Sequence, residues 1–234
     1  AKTLFVTLDD YALSKLKFTI GKVRLDDAYG HLKRDKNGVS NLQFIIDYFK
    51  SDKPPSGKQV SLELHTVLLN NSKFKYDDAA KIPKAFGVDF AHLDVSKING
   101  EFEEISIVGA KVKAKVTQFS AIEKSGLILK DLTTYANVGK NGIFLAKTNI
   151  KVNESRINAP KFNLIYSGFD DFFHFVDSVK FDGKLDESLI SLKDVSRFAP
   201  MLQGMDEVVR MKGEVYNVVN QLRIRNLDLR VKNK

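Results

Sequence analysis

The chain has 234 residues, of which 43% are hydrophobic and 28% charged, enough apolar material for a real core and too much for a disordered segment. It has no cysteine, which excludes disulfides, thiol nucleophiles and cysteine metal sites, and no apolar run approaches the roughly 18 residues a membrane-spanning helix needs. The net charge is +8, but the basic residues are spread without a dense block, so nucleic acid is not an expected partner. The chain opens on Ala1 without a signal peptide and reads as a piece of something longer, or a processed chain.

In chain order, Asn37-Gly38 is the first hairpin-type dipeptide, a pair that accepts the positive φ of tight turns. Ser40-Asn41-Leu42-Gln43 is a capping box, and Leu42, Ile45, Ile46 and Phe49 form one apolar stripe, so a helix is expected over 41–49. Lys53-Pro54-Pro55-Ser56-Gly57 ends it as an exposed loop. Val60, Leu62, Leu64, Thr66 and Leu68 alternate with Ser61, Glu63 and His65, the period of a half-buried strand. Residues 79–89 have the weakest strand character. A soft boundary is therefore expected near residue 90, with strands and the capped helix before it and a continuous amphipathic β region over 90–234.

Within that region Ala110, Val112, Ala114 and Val116 alternate with Lys111, Lys113 and Lys115. Gln118 and Phe119 break the period, which predicts a bulge and a bend. The period of two returns at Phe144-Ala146-Thr148-Ile150-Val152, at Phe162-Leu164-Tyr166, at Met211-Gly213-Val215-Asn217-Val219 and at Leu227-Leu229-Val231. Asn99-Gly100 and Asn141-Gly142 are read as hairpin turns, and Gly126 and Gly168 as turns or bulges. Short helices are expected around 170–176 and from Asp194 to just before Pro200. The fold class is mainly β, a meander or solenoid of strands with two or three short helices. One wet face per strand points to antiparallel pairing.

Little in the chain suggests catalysis. His31, His65, His92 and His174 lack metal-ligand spacing, and no hydrolase, zincin or P-loop motif occurs. No metal or cofactor is expected, and the chain is read as a non-enzyme. The acid pairs, Glu103-Glu104 and Asp170-Asp171 among them, sit at turns and caps or point to opposite faces of a strand. Lys111, Lys113 and Lys115 are interleaved with residues that cannot stack on bases, and the absence of Trp weakens a sugar-binding reading. The greasy faces must be covered. A closed sandwich, a trough left open for an apolar guest, and a β-helical polysaccharide enzyme that gathers acids from neighbouring coils all remain open on the pattern alone.

Four stretches decide between them. F-G-V-D-F-A-H-L-D-V-S-K-I-N-G-E-F (86–102), F-S-A-I-E-K-S-G-L-I-L-K-D-L (119–132), L-I-S-L-K-D-V-S-R-F-A-P-M-L-Q-G-M (189–205) and G-V-S-N-L-Q-F-I-I-D-Y-F-K (38–50) together resemble the β repeats of TamB proteins of Bacteroidetes, in the AsmA-like superfamily. The resemblance implies an internal segment of a protein anchored in the inner membrane, folded across the periplasm as an elongated curved sheet, a β-taco or β-helix-like trough. It implies a hydrophobic groove that carries phospholipid acyl chains towards the outer membrane. It also implies partnership with an outer-membrane barrel of TamA or BamA type through the full-length protein. On this reading Ala110, Val112, Ala114, Val116, Phe144, Ile150, Val152, Phe162, Leu164, Met211 and Val215 line the groove. A β module that binds client strands at its edges is the second reading.

Overall fold

The computed structural model describes residues 2–12, 17–41 and 61–232. The helix expected over 41–49 lies outside them apart from Asn41, as does the Pro-rich loop. One twelve-stranded sheet dominates. Its strands are β1 (Thr3–Ala12), β2 (Lys17–Asp26), β3 (Tyr29–Arg34), β4 (Ser61–Asp78), β5 (His92–Val108), β6 (Lys111–Glu123), β7 (Leu127–Gly139), β8 (Gly142–Val152), β9 (Ser155–Ile165), β10 (Lys180–Ser191), β11 (Val208–Val218) and β12 (Arg223–Lys232). From β4 to β12 each strand pairs antiparallel with the next, a simple meander. The departure from antiparallel order is at β4, which takes β2 and then β3 as parallel neighbours along one edge. The connection 79–91 joins β4 to β5 within this single sheet. Among the described residues there are also two helices, α1 (Phe175–Ser178) and α2 (Leu192–Val195), and short 3-10 turns, including Phe169–His174.

Residues paired across a ladder share a face, so the register sorts the side chains. Val112 faces Ile107 and Val138. Val138 faces Ile143, which faces Leu164, which faces Phe181. Ala114, Ala136, Leu145, Phe162, Gly183 and Val215 form the next row of the same face. Lys113 opens a row on the other face, through Asn137, Phe144, Asn163 and Asp182. One face is aliphatic and aromatic; the other is polar and mostly exposed.

The curvature has a local cause. In β5, Glu103 and Ser106 oppose Lys115 and Lys113, so three steps on one strand match two on its neighbour. Glu103 and Glu104 therefore both face outward, and the apolar alternation resumes at Ile105. The same surplus occurs at Asn71 in β4, Lys97 in β5, Lys147 in β8, Glu187 in β10 and Asn226 in β12. Each of these residues has a positive φ, as has Glu104, the conformation of bulged positions. In β6 the shift between Val116 and Gln118 sets Thr117 on the outer face with Gln118, where the sequence predicted a bend. Every surplus residue lengthens the polar face, so the sheet curls with its apolar face inside.

The bulges also correct two sequence readings. The run from Leu62 to Leu68 does not hold one face: Leu64 and Val67 both lie inside, opposite Ile105 and Phe102, while Thr66 and Leu68 pair with Glu103 and Glu101 on the outside. Asn99-Gly100 is not a hairpin but lies within β5. Gly100 is required there by crowding, because a Cβ would stand 2.7 Å from the Phe102 ring and 3.0 Å from the Phe119 ring.

Packing is densest where the connections fold onto the inner face. Tyr166, Phe172, Phe175 and Val179 form a buried cluster against Ile143, Leu164 and Phe181 of the sheet. Phe90, from the connection after β4, lies 5.2 Å from Phe175 and 5.6 Å from Phe172. Phe198, just after α2, lies 5.8 Å from Phe175. Arg34 of β3 bonds Asp170 at 2.9 Å, and Tyr76 of β4 stacks on Phe173 at 6.3 Å. These contacts join β3 and β4 to the segment between β9 and β10, strands far apart in the sheet order. They form a clasp across the curl.

Candidate functional site

The inner face away from the clasp is the candidate site. Val112, Ala114 and Val116 project from β6 onto it, beside Val138, Ala136 and Thr134 of β7. Ile150 and Val152 join it beyond the Lys147 bulge, opposite Leu132 and Leu129. Phe162 and Leu164 continue it on β9, and Met211 and Val215 on β11, opposite Ser188 and Gly183 of β10. Leu164 is also part of the packing around the aromatic cluster. Ala110 lies in the turn between β5 and β6 and is half-buried; no ladder pairing assigns it to either face.

Phe144 stands apart from this set. It pairs with Asn137 and Asn163 on the face of Lys113 and is 42% exposed. Its apparent continuity with Ile150 in the sequence is broken by the Lys147 bulge, which turns the first half of β8 over. Val112, Ala114, Phe162 and Val215 are half-buried although they lie inside the curl. Lys111 and Lys113 are exposed, and Lys115 is tied at 2.6 Å to Glu103 on the outer face.

Charge is kept off the inner face except where turns are closed. Asp78, Asp89, Glu123 and Asp194 are the buried carboxylates among the described residues. Asp194 accepts bonds from the backbone N–H groups of Glu154 and Ser155 and from the Ser155 hydroxyl, at 3.0, 2.9 and 2.6 Å, which ties α2 to the turn between β8 and β9. Glu123 accepts the N–H of Ser125 at 2.7 Å. Asp89 accepts N–H bonds from Lys84 and Ala91. Burial alone would raise the Asp89 carboxyl, but those two bonds and His92 outweigh it and hold its pKa below the ordinary value. Asp78, Asp89 and Glu123 each close their own turn, and Asp194 a distant one. Among the described residues no group of three or more side chains could hold a metal ion, and no helix is long and apolar enough to cross a membrane.

The connections, by contrast, are tied to one another over long stretches of sequence. Val88 donates its N–H to the Arg197 carbonyl at 2.8 Å. Gly87 beside it has φ +79, and a Cβ there would lie 2.3 Å from that same oxygen. The Arg197 guanidinium in turn bonds the Ser125 carbonyl in the turn between β6 and β7. The helices lie near the positions expected, as a 3-10 turn at Phe169–His174 running into α1 and as α2 at Leu192–Val195 instead of from Asp194, but no local pattern shows that their surroundings would be stitched to distant turns through residues such as Phe90 and Phe198. Comparison with family models, with curated proteins and with solved structures finds no match.

Proposed function

We propose that this chain is a segment of a non-enzymatic hydrophobic groove, of the TamB-like kind, that carries phospholipid acyl chains between the two membranes of a cell envelope. The observation that carries the reading is the asymmetry of one curled sheet, with aliphatic side chains inside and surplus polar residues outside. A methylene in water costs about 0.8 kcal/mol, so a 16-carbon tail costs roughly 12 kcal/mol to expose. A half-buried aliphatic face removes much of that cost without chemistry. Strands of 11 to 13 residues, such as β6 to β9, extend about 36–43 Å at 3.3 Å per residue, more than the roughly 15 Å of half a bilayer core. The headgroup stays in water at the rim. Localisation in the periplasm and engagement of an outer-membrane barrel belong to the same proposal.

Photocrosslinking tests it. A photoreactive residue at Val112 or Val215 in the full-length protein in cells is expected to give lipid adducts by mass spectrometry, and one at Lys113 is expected to give none. Absence of adducts at both inner positions, or equal yield at Lys113, refutes the conduit. The second reading, a docking edge for client strands, is favoured by β12, where Leu227 and Leu229 are 47% and 43% exposed on an edge strand of the sheet. It predicts protein adducts at Leu227 and no lipid at Val112.

A further inference from the structure

On the outer face, opposite the groove, β6 to β9 form an open hollow of about 600 Å³. Phe144 and Tyr135 are 42% and 45% exposed there. Tyr135 is opposite Ala146, two residues from Phe144, so the two aromatic side chains lie on a diagonal, about 7–8 Å apart at their bases. Asn137 and Asn163 flank Phe144 on either side in the ladder. Asn163 donates its amide N–H to Asp182 at 3.4 Å, which leaves its carbonyl oxygen as an acceptor. Phe144 lies back against Gly142 and Tyr135 lies under Lys147, and the amides beside the two rings supply direction as well as contact.

We propose that this hollow is a binding site for an N-acetylated glycan. Sugar rings present C–H faces that stack on aromatic rings. Acetamido groups offer one donor and one acceptor to side-chain amides, and their methyl groups suit the small apolar floor at Ala146. Charge decides against a polyanion. Lys115 and Lys161 are each paired at 2.6 Å, with Glu103 and Asp182. Lys147 lies over the Tyr135 ring at 5.5 Å, and Glu104 borders the hollow with Lys113. Two of the three lysines that line the hollow are thus already paired, which leaves Lys113 beside Glu104. The inference does not rest on the groove, since the side chains it uses, Phe144, Tyr135, Asn137 and Asn163, lie on the outer face, although Ala114, Ala136 and Leu145 of the inner rows also border the hollow.

Titration calorimetry of the chain with chitohexaose tests it, with cellohexaose, which lacks the acetamido groups, as comparator. Saturable binding of chitohexaose is expected, at least about tenfold tighter than cellohexaose, a difference of about 1.4 kcal/mol. Phe144→Ala and Tyr135→Ala are each expected to weaken it about tenfold, Phe144→Tyr to preserve it, and Val215→Ala on the inner face to leave it unchanged. Because Phe144 and Tyr135 are exposed, their variants are expected to keep the parent unfolding midpoint, which is measured alongside. No binding of chitohexaose at millimolar concentration, binding indifferent to both aromatic substitutions, or equal affinity for cellohexaose overturns the proposal.

Discussion

Asp89 is 2% exposed and has to be an acceptor. It stands where the chain turns from the connection after β4 into β5, and the N–H groups of Lys84 and Ala91 point at its oxygens at 2.9 and 3.0 Å. With the Asp89 pKa below its ordinary 3.8, the charged form is favoured by folding. The stability it contributes is fully present above the unfolded value and is lost as pH falls through the folded value. Asp89→Asn is therefore expected to destabilise the chain at neutral pH by about 1–3 kcal/mol. The gap to the parent protein is expected to narrow as pH falls below 3.8. Urea midpoints measured over that range check both parts, and a gap that stays constant with pH refutes the role of the charge.

The bulge is the element that organises the sheet, and it explains what the sequence disclosed and what it hid. Alternation placed the lysines of β6 outside and Val112 inside because β6 has no bulge before Thr117. It failed for Phe144 because Lys147, at φ 51, adds a residue that no hydrophobicity period reveals. The signal was nevertheless in the sequence as paired polar residues at the breaks: Asn70-Asn71, Ser96-Lys97, Glu103-Glu104 and Asp186-Glu187. Strict alternation would send the members of each pair to opposite faces; the bulge puts both outside. The clasp was illegible for another reason, since no local pattern tells Phe90 which ring across the curl it will meet. The bulge account is tested at Lys97, which is exposed and has φ 49. A β-branched residue in that conformation is strained by about 1–3 kcal/mol, whereas glycine adopts it freely. Lys97→Val is expected to lower stability by that amount and Lys97→Gly to match or exceed the parent, by thermal or urea unfolding. Equal tolerance of Val and Gly would mean that the backbone there is free to relax and does not set the bend.

At the scale of the whole molecule, a meander is close to one-dimensional: each strand from β5 to β11 leans on its two neighbours in sequence. Such an array tends to unfold piecemeal, because losing one end does not disturb the other. The clasp adds what the ladder lacks. Phe175 touches Phe90 before β5, Phe181 at the start of β10 and Phe198 after it, so three separate stretches of chain depend on one ring. Phe175→Ala removes that ring from a buried site, which costs about 3–5 kcal/mol. If the clasp couples the two sides of the curl, the variant is expected to lose cooperativity as well as stability. The urea m-value falls, because less surface is exposed in a single step. Hydrogen exchange in β3 and β4 then rises while β7 and β8 stay protected. If the cluster is a local core and nothing more, the midpoint shifts, the m-value holds, and protection drops evenly along the sheet. The distinction bears on the proposed groove, because an inner face held at fixed curvature by such a clasp offers a guest a constant width, whereas an unclasped sheet flattens and exposes its aliphatic rows to water.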